Sequence, residues 1–294
     1  HGRADARRPR RWEDGGVTAI EPNVVPFASP AAAGGDPYVT TPVAYDAILL
    51  ASFGGPEGQE DVIPFLRNIR PFYDHPGFVE AFEAGVRESV QGYLDQGFAP
   101  TEIQVLFSTH SIPTADAERS GARDIDWGEG GAYAAQHLAV SEWTMEQVRA
   151  AVPGAADVPW ELVYQSRSGP ASQPWLEPDV CDVIAELPAR GRKAVIVVPV
   201  GFMSDHMEVL WDLDTEAAEA AEEAGLAFVR TPTPGVREAF VEGIVDLIEE
   251  RLQGRPNAER PHVTDLPGAF DVCRPGCCEN VRAGFKPAAA GIAP

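Results

Sequence analysis

The chain has 294 residues, 44% hydrophobic and 23% charged, a globular composition with room for one large domain or two smaller ones. A formal net charge of −22 argues against a nucleic-acid partner, because a phosphate backbone demands clustered Lys and Arg. No run of about eighteen apolar residues occurs, so no transmembrane helix is expected and the sequence reads as cytoplasmic.

Residues 1–44 read as a disordered tail: a basic, polar start (HGRADARRPRRW) is followed by a Pro-, Ala- and Gly-rich stretch without periodicity. Tyr45–Phe53 is an apolar, buried-strand pattern that Gly54-Gly55-Pro56 ends sharply. Asp61–Ile69 has helical spacing, with Val62, Phe65, Leu66 and Ile69 on one face. A strand–glycine turn–helix can cradle phosphate, but the spacing here is not that of a dinucleotide fingerprint. After Pro76-Gly77 the pattern predicts a helix from Phe78 to about Leu94, with Val79, Phe82, Val86 and Val90 inward. Ile103–Phe107 is the next strand, and His110 lies just past its carboxyl end, where open α/β sheets expose chemistry.

Gly130–Val152 is an amphipathic helix carrying Tyr133, His137, Val140 and Val148, Trp160–Gln165 a strand, and Asp179–Leu187 a helix. Val195–Val200 is an uninterrupted β-branched run, the mark of a strand buried on both faces. Gly201 breaks it, Ser204 or Asp205 offers an N-cap, and a helix starts at Met207. On that helix Glu208, Asp212 and Glu216 recur every four residues, which stacks three carboxylates on one face. Like charges at that spacing cost a helix a few tenths of a kcal/mol per pair, so the row suggests a cation; a solvated acidic face is the competing reading. Ala227–Arg230 is a short strand and Val236–Leu252 an amphipathic helix. Strands alternating with helices call for a parallel, doubly wound α/β sheet.

The last forty residues read as loop and hold Cys273, Cys277 and Cys278 within six residues. Such crowding suits a metal or cluster better than a disulfide framework, and the fourth ligand would have to be Cys181 or a non-Cys group. Alone, Cys181 reads as a small buried thiol.

Three stretches together resemble the ferrochelatases, lyases that insert ferrous iron into a porphyrin: SFGGPE with VPFL (Ser52–Leu66), FSTHSIP (Phe107–Pro113), and QSRSGP, WLEPDV and VPVGFMSDHMEVLWDLD (Gln165–Asp214). The Cys cluster is similar to that of bacterial members carrying a [2Fe–2S] cluster, whose substrate is coproporphyrin III rather than protoporphyrin IX. The resemblance implies two Rossmann-like lobes with a porphyrin between them. It implies catalytic and metal-binding roles for His110 and Glu208, with Asp212 and Glu216 continuing the line along which Fe²⁺ arrives. It also implies an irregular helix with a π-bulge near that glutamate. Arg167 is a candidate for holding the porphyrin propionates, and Phe53 stands where some members place a Tyr, leaving it a packing role.

One departure is large. VPFLRNI runs straight into RPFYDHPGFV, where family members carry on the order of a hundred further residues, about one α/β lobe. The resemblance then implies a chain with residues 45–69 as a remnant of the first lobe and 70–234 as a whole second lobe. Residues 235–253 form a helix that packs on the first lobe, and 254–294 a loop-like tail. The upstream Cys ligand is lost with the block, so a four-Cys cluster is not expected to be complete, and iron insertion is expected to be weakened. The alternatives are a non-catalytic metal- or haem-binding remnant, a cobalt or nickel tetrapyrrole chelatase, and, on the Cys triplet alone, an iron–sulfur redox module.

Overall fold

The structure, a computed structural model, describes residues 72–170 and 172–266. The readings for residues 1–44 and 45–69, Phe53 and Cys273, Cys277 and Cys278 fall outside those residues.

Four parallel strands form the sheet: β1 Ile103–His110, β2 Trp160–Gln165, β3 Ala194–Val198 and β4 Ala227–Arg230, in the spatial order β2-β1-β3-β4. The two central strands, β1 and β3, are buried on both faces, as their β-branched composition predicts. Side chains alternate between two cores. Ile103, Val105, Phe107, Ile196 and Val198 face one layer of helices, while Leu106, Val195 and Val197 face the other.

On the first face lie α1 (Pro76–Asp95) and, after the single-turn α2 (Thr114–Ala117), α3 (Gly131–Ala151). Helix α1 begins where Pro76 occupies the first turn and the His75 ring accepts the Gly77 N–H at 3.2 Å. Val79, Phe82, Val86 and Val90 are fully buried, as their spacing predicts. On the second face lie α4 (Val180–Glu186), capped by Asp179, and a continuous helix in three parts: α5 (Met207–Trp211), a π segment (Asp212–Ala217) and α6 (Ala218–Glu223). Leu213, Ala217 and Ala221 anchor this helix in the second core.

Helix α7 (Glu238–Gln253) packs on α1 within the described residues. Phe240 meets Phe78 with ring centroids 5.8 Å apart. The two backbones nearly touch: a Cβ on Gly77 would sit 2.4 Å from the Ala239 carbonyl oxygen and 2.8 Å from the Gly243 Cα. Residues 255–266, which include a single 3-10 turn at Asn257–Glu259, fold back over the same corner, where the Val263 N–H donates to the Asp74 carbonyl at 3.0 Å. Among the described residues no helix is long and apolar enough to cross a membrane.

Candidate active site

His110 is the last residue of β1 rather than the first of the loop, because the strand continues through Ser108 and Thr109. These two polar residues are buried yet satisfied: the Ser108 hydroxyl donates to Gln165 Oε1 at 2.8 Å, and Thr109 Oγ1 lies 3.0 Å from the Tyr133 hydroxyl and 3.1 Å from His137 Nε2. The Tyr133 hydroxyl also donates to the His110 carbonyl at 2.7 Å. Ser111 follows, pinned by its N–H to the Gln165 carbonyl at 2.7 Å and by its hydroxyl to the Leu176 carbonyl at 2.8 Å. Backbone on either side of the imidazole is therefore fixed by β2, by α3 and by the loop after β2.

The His110 Nδ1 hydrogen bonds the Ser111 carbonyl, which can only accept, so Nδ1 carries a proton. Nε2 then points out of the sheet edge to Glu208 Oε1 at 3.0 Å. That distance is within reach of a hydrogen bond or ion pair between the two side chains. Both side chains are partly open to solvent, at 35% and 43%. The pair can bind a proton or, once that proton leaves, offer an imidazole nitrogen and a carboxylate to a cation.

Glu208 comes from the first turn of α5, and the residue that caps this helix is His206, not Ser204 or Asp205. The His206 ring accepts the Val209 N–H at 3.4 Å, an acceptor that an imidazole nitrogen supplies as a hydroxyl or carboxylate would. Asp212 sits one turn on, at the start of the π segment. Its Oδ2 accepts the Gln165 Nε2–H at 3.2 Å and the Ser166 hydroxyl. Ser166 holds a left-handed backbone (φ 61°), a conformation rare outside glycine that aims its hydroxyl at Asp212. Glu216 does not continue a straight row. A π turn takes more residues than an α turn, so four residues past Asp212 falls short of a full rotation, and Glu216 is exposed. Among the described residues no three His, Cys, Asp or Glu side chains converge closely enough to hold an ion. The structure thus joins His110 to Glu208 and ties Asp212 to the sheet behind them.

Arg167 is engaged elsewhere, its Nη1 donating to Glu177 Oε1 at 3.1 Å on the surface. Cys181 is half-buried, and burial, reinforced by Asp179, Glu216, Asp182 and Asp212, pushes its thiol up to about 12. Its surroundings, with Asp179, Asp182, Asp212 and Glu216 nearby, disfavour the thiolate that a cluster ligand needs. Around the pair, Met203, Met207, Leu210 and Trp211 present exposed apolar surface.

A His–carboxylate pair in contact at the carboxyl edge of a parallel sheet, backed by a fastened Asp and with exposed apolar side chains on the same helix, suits the handling of a metal ion and protons beside a flat apolar ligand. A family model described as ferrochelatase matches residues 66–252, and the chain belongs to the ferrochelatase family, whose members are lyases. Named relatives are coproporphyrin III ferrochelatases. That of Leifsonia xyli is 42% identical over 391 positions, covering 91% of this chain and 99% of the relative. That of Tropheryma whipplei is 52% identical over 226 positions, covering 77% of this chain and 57% of the relative. That of Streptomyces griseus is 43% identical over 250 positions, covering 84% and 64%. The chain therefore matches about six tenths of the length of the latter two. Because the Leifsonia alignment runs over 391 positions yet uses 91% of 294 residues, roughly 120 positions face a gap. That total is similar in size to the block of about a hundred residues that the resemblance implies is absent after Ile69.

Neither Tyr133, Thr109, His137, Gln165 nor Ser166 carries a role readable from sequence. The one signal was His137 and Tyr133 on the inward stripe of an amphipathic helix, a place where polar groups need partners.

Proposed function

We propose that this chain is a ferrochelatase that inserts Fe²⁺ into coproporphyrin III, and that it carries the metal and proton side of that reaction. The observation that carries the reading is the 3.0 Å contact between His110 Nε2 and Glu208 Oε1. Metallation takes two protons from pyrrole nitrogens and strips water from the iron. With Nδ1 committed to the Ser111 carbonyl, His110 has one nitrogen for proton or metal, and Glu208 can relay the proton or bind the hard cation. The acidic run from Asp205 to Glu223, Asp212 and Glu216 within it, gives that helix a field favouring a cation. The exposed faces of Met207, Leu210 and Trp211 suit the apolar plane of a macrocycle. Iron–sulfur chemistry plays no part in this reading.

The test is anaerobic Fe²⁺ insertion into coproporphyrin III by the full chain, followed as loss of porphyrin fluorescence, with His110→Ala and Glu208→Ala beside wild type. Turnover that either substitution abolishes supports the reading; turnover indifferent to both refutes the assignment of the pair. The gap relative to the Leifsonia relative favours one second reading, a remnant that binds the ion without metallating. Bound iron with no turnover in wild type selects it.

A further inference from the structure

Arg230 is the last residue of β4, opposite Val197 of β3, at the same sheet edge from which His110 projects on β1. Its side chain, 12% exposed, reaches across to the α5–π helix. Nε and Nη2 donate to the two oxygens of Asp214 at 2.5 and 2.9 Å, the paired geometry that guanidinium and carboxylate share. Nη1 donates to Asp205 Oδ1 at 3.0 Å and to the Thr231 carbonyl at 3.2 Å. Asp205 lies three residues before Glu208 and Asp214 six residues after it, so one sheet-borne cation grips the helix on both sides of Glu208.

Such a grip answers a specific need. The π segment breaks the regular i→i−4 ladder just after Glu208 and the residues before α5 are loop, so the placement of α5 depends on contacts beyond its own ladder: Val209 in the second core and the Arg230 contacts on either side of Glu208. His110 needs no such aid, being part of β1. We propose that Arg230 is a positioning residue: by holding Asp205 and Asp214 it fixes Glu208 within reach of His110. The inference rests on the role proposed above for the His110–Glu208 pair.

The opposing explanation, that Arg230 contributes only stability or charge, predicts a different sign. Removing a cation from the neighbourhood of a cation-binding pair strengthens attraction for a metal ion, whereas losing the grip weakens it.

The experiment uses the full chain as wild type, Arg230→Gln, Arg230→Lys and Glu208→Ala. The His110 ring signals are read by ¹H–¹⁵N NMR without metal, assigned through His110→Ala. Affinity for Co²⁺, standing in for Fe²⁺, is read by calorimetry. In Arg230→Gln the His110 signal is expected to move to its Glu208→Ala position and Co²⁺ affinity to fall on the order of tenfold, as for other groups that orient ligands. Lysine reaches one carboxylate, so Arg230→Lys is expected to fall between. Should Arg230→Gln fail to fold, Asp205→Asn with Asp214→Asn removes the same grip while leaving the arginine. An unmoved His110 signal, tighter Co²⁺ binding, or a lowered melting temperature with both readouts unchanged overturns the proposal. A His110 signal that moves as expected in a chain that neither binds Co²⁺ nor turns over upholds the positioning and rejects the chelatase reading.

Discussion

Gly201 links β3 to the segment that carries Glu208, and a side chain there would collide with Thr109 beside His110. A Cβ there would lie 2.2 Å from Thr109 Oγ1, 2.9 Å from Thr109 Cβ and 3.2 Å from its Cα. Ordinary contact begins near 3.4 Å, so Gly201→Ala requires an opening of about 1 Å. Thr109 cannot yield cheaply. Its backbone is paired to Tyr164 in the sheet, and rotating its hydroxyl away breaks contacts with Tyr133 and His137. Two lost hydrogen bonds at about 1 kcal/mol each, with overpacking of about 1–3 kcal/mol, give a destabilisation of about 3–5 kcal/mol. For a domain of this size that lowers the melting temperature by about 6–20 °C. Urea unfolding of the full chain measures the loss, and Fe²⁺ insertion measures the disturbance at His110. Adding Thr109→Ala should make the glycine substitution cheaper, because the closest atom and both hydrogen bonds are then already gone. A Gly201→Ala chain within about 0.5 kcal/mol of wild type would refute the argument.

Two further outcomes follow from buried titratable groups. Burial holds the His137 imidazole below its ordinary range, against a smaller opposing pull from the Tyr133 carbonyl. Below a pH of about 6.5 the unfolded chain therefore binds more protons than the folded one, and stability falls as pH falls. His137→Gln is expected to flatten this acid limb in urea titrations at pH 7 and 5; an unchanged slope would show that another group carries it. Cys181, pushed up to about 12, should alkylate at pH 8 at least roughly tenfold slower in the native chain than in urea, read peptide by peptide by mass spectrometry. Equal rates would contradict the burial of its thiol.

What the sequence disclosed and withheld follows from the range of the forces involved. Short-range patterning placed β2 and β4 at their observed ends, put α1, α3, α4 and α7 within two residues, and picked out His110 and Glu208. It stopped β1 early because Ser108 and Thr109 look like loop until their partners on β2 and α3 are known. It chose the wrong cap for α5 because Ser and Asp are the usual caps, whereas the fold supplies the His206 ring. It stacked Glu216 above Asp212 because a fixed period of 3.6 cannot anticipate a π turn. Arg230 was invisible as more than a strand end, since both its carboxylate partners lie some 16 to 25 residues earlier in the chain.

The meeting of residues 73–77 with α7 and with residues 263–266 has a topological meaning. Thr264 donates to Asp74 across 190 positions of sequence, and Tyr73 reaches the Leu266 carbonyl across 193. These contacts fasten a loop that encloses the entire sheet, so their closure entropy falls due only after β1 through β4 have assembled. The corner acts as a buckle on the described fold, tied to the edge that carries His110 both through the sheet and through the packing of α1 on α3, whose Tyr133 and His137 meet Thr109.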